Sequence, residues 1–144
     1  MNTTDRIVTA TPIADEQRQR LLPHYFGTKL TDAEMEVYQW MGWLCPGYAG
    51  GPWRFFALSN GGFYMAPYRE ERYEVRLVVR GYRGELSADA AGILACLLAF
   101  DGIAASETED RRFAALQACL HDFAEGHVEA SEIFRALECA EATS

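Results

Sequence analysis

The sequence predicts an α+β fold: a small antiparallel sheet, made of a hairpin over residues 53–66 and a strand over 73–80, packed with several helices in a single domain. Three observations carry this. Asn60-Gly61 sits between two apolar runs, the strongest short-range hairpin signal. Residues 73–80 alternate apolar and polar side chains, the period of a half-solvated strand. Residues 88–103 are apolar on every side, as a helix buried in the middle of a domain must be. At 144 residues the chain has room for one core and not two.

Taken in order, residues 1–13 end at Pro12 and read as a loosely ordered N-terminal arm or a short edge strand, leaving residues 14–144 as the domain. A short helix over Ala14–Leu22 is expected to stop at Pro23. Thr31 is placed to cap the next helix, with Asp32 and Glu34 in its first turn and Met35, Tyr38, Met41 and Leu44 at helical spacing. If Asn60 and Gly61 form a two-residue type I′ turn, Leu58 lies opposite Phe63 and Phe56 opposite Met65, while Ala57 meets Tyr64 and Phe55 meets Ala66. Both faces of that hairpin are then apolar, and both must be covered. Gly81–Glu85 is expected as a loop leading to Ser87, the N-cap of the central helix, whose small residues Ala90, Ala91, Gly92 and Ala95 permit close approach to the sheet. After a polar break at 106–110, Phe113, Leu116, Leu120 and Phe123 mark an amphipathic helix ended by Gly126. Ile133, Phe134, Leu137 and Ala140 mark a last one, with Glu129, Glu132, Glu138 and Glu141 facing outward.

Charge and cysteines narrow the function. The net charge of −8 opposes non-specific binding to polyphosphate. Residues 101–144 carry most of it, with ten acids against three arginines. The apolar run at 90–100 is short of the ~20 residues needed to cross a bilayer, and residues 1–11 hold no apolar stretch of signal-peptide type, so a cytoplasmic protein is expected. Cys45, Cys96, Cys119 and Cys139 form no paired motif and read as reduced thiols.

Catalytic signals are absent from the sequence patterns. The histidines are His24, His121 and His127, and the adjacent pair His121-Asp122 would not face each other on a helix. No motif points to a catalytic set, metal or cofactor, so none is assigned. The glycines at 47–51 and 60–62 read as turns and not as phosphate cradles, since no Lys accompanies them. Arg54, Arg69, Arg72, Arg76, Arg80 and Arg83 interleave with Trp53, Tyr64, Tyr68, Tyr73 and Tyr82, the composition of a nucleic-acid-stacking surface. Glu70, Glu71, Glu74 and Glu85 interrupt it, which favours an ion-paired strand face.

Three stretches resemble the ArdB/KlcA antirestriction family: Tyr38-Gln39-Trp40-Met41, then Tyr48 to Phe56, then Leu58 to Pro67. Leu86-Ser87-Ala88-Asp89-Ala90-Ala91-Gly92-Ile93 resembles it as well, although the family's preceding loop more often reads Gly-Asn-Gly where this chain has Arg80-Gly81-Tyr82-Arg83-Gly84. The resemblance covers residues 21 to about 140 in order and spacing. It implies a protein of a plasmid or other mobile element that relieves type I restriction of incoming DNA, with no known enzymatic reaction. The implied partner is the type I restriction-modification complex or its DNA-processing partners, reached by protein contact, and ten acids against three arginines over residues 101–144, on helices whose apolar faces serve the core, are too sparse for DNA mimicry. Candidate contact residues are Trp53, Arg54, Asn60, Tyr64, Arg76 and Arg80. A DNA-binding module using the arginine and tyrosine face, or an enzyme of unrecognised type, are the alternatives.

Overall fold

The computed structural model describes residues 7–68, 71–77, 81–106 and 111–141. The strands are β1 (Ala10–Pro12), β2 (Trp53–Leu58), β3 (Phe63–Pro67), β4 (Tyr73–Leu77) and β5 (Tyr82–Leu86), and the helices are α1 (Asp15–Phe26), α2 (Leu30–Leu44), α3 (Ala88–Ser106), α4 (Arg112–Glu125) and α5 (Ala130–Glu141). The α+β class holds, with the strands divided between two antiparallel sheets, β1-β2-β3 and β4-β5. Of the two forms expected for residues 1–13, Ala10–Pro12 takes the edge strand, beside β2. Residues 1–6 lie outside the described ones.

The hairpin forms where Asn60-Gly61 predicts it, but its loop is one residue longer. Leu58 N–H donates to Gly62 O (2.9 Å) and Gly61 N–H donates to Leu58 O (3.0 Å), so the loop is Ser59–Gly61. Gly61 alone takes a positive φ, 91°, while Asn60 does not. This is a three-residue hairpin with its left-handed residue at glycine. The Asn60 side chain explains the choice: Oδ1 accepts the Gly62 N–H (3.1 Å) and Nδ2 donates to Cys119 O (2.9 Å), fixing the turn and docking it on α4. The register shifts by one as a consequence. Ala57 faces Phe63, Phe56 faces Tyr64 and Phe55 faces Met65, replacing the pairings expected of a two-residue turn. Both faces are still largely covered, and every residue of β3 is buried.

The segment expected as a loop, Gly81–Glu85, contains most of β5. The partners Tyr73–Leu86, Val75–Gly84 and Leu77–Tyr82 share one face of the β4-β5 pair. The alternation in β5 was masked because its middle inward position is glycine. A Cβ on Gly84 would crowd the Tyr82 hydroxyl and a Glu132 oxygen, both side-chain ends that would have to give way. Residues 78–80 of the expected strand, including Arg80, lie outside the described residues, as does most of the polar break at 107–110.

Helix α1 runs through Pro23 to Phe26 instead of stopping at Leu22. Leu22 and Phe26, four residues apart, are both buried and hold the last turn, which ends at Gly27 (φ 59°). A 3₁₀ turn over Gly27–Lys29 leads directly into α2, which therefore begins at Leu30 with no side-chain cap from Thr31. The buried stripe of α2 is Ala33, Val37, Met41 and Leu44, and Met35 faces solvent.

Helix α3 is the centre of the molecule, with Ala88, every residue from Ala90 to Phe100, and Ile103 buried against β3, α2, α4 and α5. It is long and apolar enough to span a membrane, yet 72% of its apolar window is buried inside the domain. Ser87 caps it as expected, its Oγ accepting the Ala90 N–H (3.1 Å). Gly92 sits where α3 meets β3. A Cβ there would lie 2.5 Å from Met65 O and 2.6 Å from Ala66 Cα, both backbone atoms that cannot swing aside. Cys45 and Cys96 are buried free thiols, while Cys119 and Cys139 are partly exposed.

Two glycines of α3 provide a controlled comparison. Gly92→Ala should destabilise by about 1–3 kcal/mol through overpacking. Gly102→Ala, with nothing within 4 Å of its new Cβ, should stabilise by about 0.5–1 kcal/mol through helix propensity. Urea midpoints measure both, and a like sign for the two would refute the contact assigned to Gly92. Gly61→Val should cost about 1–3 kcal/mol from strain at positive φ, against an unchanged midpoint for the exposed Glu138→Gln.

Candidate functional site

A set of half-buried polar residues converges on the buried Tyr64 where the hairpin, the N-terminus of α3 and the α4–α5 connection meet. Tyr64 on β3 is stacked between Phe56 (centroids 4.7 Å, planes 15° apart) and Phe123 (5.4 Å, 25°). Its hydroxyl donates to Asp89 Oδ1 (2.7 Å). The other oxygen of Asp89 lies 2.9 Å from His127 Nε2, and His127 Nδ1 accepts the Glu129 N–H (3.0 Å). That last bond assigns the tautomer: Nδ1 presents a lone pair, so Nε2 carries the hydrogen and donates it to Asp89.

A second branch closes on the helix cap. Glu129 accepts from the Ser87 N–H (2.9 Å) and the Ser87 hydroxyl, and Arg72 reaches Glu129 (3.3 Å) and Glu85 (3.1 Å). Beside it the Tyr82 hydroxyl donates to Glu132, with Arg135 over the Tyr82 ring at 5.7 Å. Glu129 and Glu132, expected to face outward, are therefore turned onto the domain. Glu129 has only 16% of its side chain exposed.

The electrostatics follow the hydrogen bonds. Burial pushes Asp89 up, but the hydrogen bonds from His127 and Tyr64 and the charge of Arg54 outweigh it, leaving the carboxyl below its ordinary value of 3.8. Burial likewise opposes the ionised form of Glu129, and the two bonds from Ser87 and the charge of Arg72 hold it below 4.5. The Tyr64 phenol is driven far up by burial and by the Asp89 carboxylate it serves, so it stays a donor. Each of Tyr64, Asp89, His127, Ser87 and Glu129 has its partner, and neither nitrogen of His127 is open to take a proton from a substrate. The arrangement ties three parts of the fold together and presents no free base or nucleophile.

The candidate contact residues do not form one surface. Trp53 is buried, its Nε1 donating to the Tyr48 hydroxyl (2.9 Å) with Tyr38 packed edge-on, and Tyr64 is inside the network, so these two are corrected from contact residues to interior ones. Asn60 anchors the turn. Arg76 lies on the other sheet, paired with Glu74 (3.0 Å), which also holds Arg83. Arg80 lies outside the described residues. Of these candidates, Arg54 stands exposed with no carboxylate partner among the described residues, its guanidinium 5.3 Å from the Phe56 centroid and 5.1 Å from that of Tyr68. His127 and Glu129 carried no local signal, since their partners lie 38 and 42 residues away. Among the described residues His121, Asp122 and Glu125 bring potential metal-ligand atoms within 4.8 Å of one another on the outer side of α4, where His121 faces Glu125 at 3.6 Å.

The antirestriction protein family model matches residues 46–138. The chain is 46% identical over 142 residues to antirestriction protein KlcA of Escherichia coli, covering 96% of this chain and all of that one. A second E. coli KlcA is 43% identical over 137 residues, covering 91% and 94%, and the uncharacterized protein YafX of strain K12 is 37% identical over 135, covering 91% and 88%. A solved structure matches with a TM-score of 0.84 at 46% identity, over 95% of this chain and 99% of its own. It comes from work on KlcA and ArdB describing a novel fold and antirestriction activity against Type I DNA restriction systems in vivo but not in vitro. The chain belongs to the ArdB/KlcA antirestriction family.

The network makes a pH prediction. Asp89 and Glu129 have folded-state values below their unfolded ones, so the stability they contribute is fully present above about 4.5 and is lost as pH falls through the lowered values. Asp89→Ala leaves the Tyr64 hydroxyl and His127 Nε2–H without their acceptor and should cost about 1–3 kcal/mol at neutral pH. Between pH 5 and 3 the variant should then lose less further stability than the wild type. Urea titrations at several pH values measure this, and parallel acid limbs would refute the assignment.

Proposed function

We propose that this chain relieves type I restriction of incoming DNA in the cytoplasm of a cell harbouring a plasmid or other mobile element, by contact with a protein of the restriction pathway. The observation that carries the reading is the full-length match, in sequence and fold, to KlcA and ArdB, whose activity is described against type I systems in vivo but not in vitro. Activity in cells without activity in the purified reaction fits a chain that works through a further cellular component.

Two features support contact over catalysis and over DNA mimicry. The polar residues that could pass for a catalytic set, Tyr64, Asp89 and His127, satisfy one another. The acids of the C-terminal third are not a free ladder, because Glu129 and Glu132 are bound to Ser87 and Tyr82. A duplex presents about one charge per 1.7 Å of axis, and the exposed acids that remain are too sparse to copy it.

The test is the plating efficiency of unmodified phage on a host with an active type I system. Expression of the chain should raise it, and no rise with soluble protein present would overturn the proposal. Replacing the exposed acids of the C-terminal third among the described residues together, as Asp101→Asn, Asp122→Asn, Glu125→Gln and Glu138→Gln, should leave that relief intact. Loss of relief in this folded variant would make the acidic surface the working one.

A further inference from the structure

Arg54 differs from the other arginines of the sheets. Arg72, Arg76 and Arg83 are held by Glu85, Glu129 and Glu74, and Arg18, on the opposite face of β2, is held by Asp15 (2.9 Å) and the Trp53 carbonyl (2.9 Å). Arg54 is exposed and has no carboxylate partner among the described residues, yet it is not loose. It lies over Phe56 and Tyr68 on the face of the sheet that also carries Tyr64 and Ala66. Tyr68 is itself pinned beside β2 by its backbone N–H, which donates to Pro52 O (2.9 Å), while the residue as a whole is 64% exposed. Stacking on a ring leaves the edge of a guanidinium, with its N–H groups, directed away from the ring and open to a planar oxyanion.

We propose that the Arg54–Tyr68 pair is the anchor of the partner-binding surface and takes a carboxylate side chain of a protein partner, the Arg54 fork binding the two oxygens and Tyr68 packing against the stem. This rests on the functional reading above. Stacking lowers the entropy cost of fixing the long side chain, and an ordered Arg beside an exposed Tyr is the composition of an interface hot spot. A protein carboxylate is favoured over a nucleic-acid phosphate by the surroundings. DNA binding draws on several cations acting together, whereas the described arginines nearest Arg54 in the two sheets are already neutralised and the chain carries −8. A single planar fork suits a single carboxylate.

The chemistry also supplies the discriminating variant. Arg54→Lys keeps the charge and most of the stem but loses the fork, so it preserves a point-charge contact to phosphate and breaks a bidentate one to carboxylate. In the plating assay Arg54→Ala, Arg54→Lys and Tyr68→Ala should each lower relief of restriction by about tenfold or more, with soluble expression and thermal midpoints close to the wild type. No relief by the wild type would overturn the functional reading and the inference with it. Relief by the wild type that both Arg54 variants match would overturn the inference alone. Full relief by Arg54→Lys with loss in Arg54→Ala would overturn it in favour of a phosphate contact. Arg54-dependent binding of a labelled duplex by the purified protein at moderate salt would do the same.

Discussion

An all-apolar helix cannot tolerate water on any side, and the rest of this fold is the means of covering α3. Its flank against β3 is the tightest point, because Gly92 brings helix backbone against sheet backbone at a distance no side chain survives. The other sides are closed by the buried stripes of α2, α4 and α5. That requirement explains why β3 is buried at every position: the hairpin lies between α3 and further helices, so neither of its faces meets much solvent. It also explains the composition of the chain, since the polar residues are left to the ends of elements and the rims of sheets.

Burying a helix on all sides creates a second problem at its N-terminus, where unpaired N–H groups are drawn into the interior. Ser87 satisfies the Ala90 N–H, and the Glu129 carboxylate then satisfies Ser87 in both backbone and side chain. Asp89, in the first turn at the positive end of the helix dipole, receives Tyr64 and His127. The Ser87-Ala88-Asp89 motif is therefore a clasp that joins the central helix to the hairpin and to the α4–α5 connection. Two carboxylates in such a position are acceptable only because every oxygen has a donor or cation in reach.

How much of this was legible in the sequence depended on the range of the interaction. The hairpin, the central helix, its Ser87 cap and the two C-terminal helices all rest on contacts within a few residues, and local pattern found them. The errors have local causes too. Ser59 joined the turn because Asn60 was needed to reach Cys119, which moved the register by one. Gly84 hid the strand β5 because the position that would have shown its alternation carries no side chain. Pro23 failed to end α1 because Leu22 and Phe26 on either side of it are buried. The clasp itself was not legible, since His127 and Glu129 meet their partners only when the helices are packed. Of the candidate contact residues, composition could mark Trp53 and Tyr64 as aromatic but could not tell a ring that faces a partner from one that faces the core.

The division between satisfied and unsatisfied polar groups separates the structural from the functional. Tyr64, Asp89, His127, Ser87 and Glu129 have used their hydrogen-bonding capacity on one another, so any partner that engaged them would first have to break the fold's own bonds. Arg54 has not been used in this way. It lies over the Phe56 and Tyr68 rings with no carboxylate partner among the described residues. It also sits close enough to Asp89 and Tyr64 for its charge to favour their ionised forms. Contact at Arg54 would therefore be felt electrostatically at the clasp, while the clasp holds the strand that presents Arg54. The proposed contact surface and the interior beneath it are joined through Tyr68, Arg54, Phe56 and Tyr64.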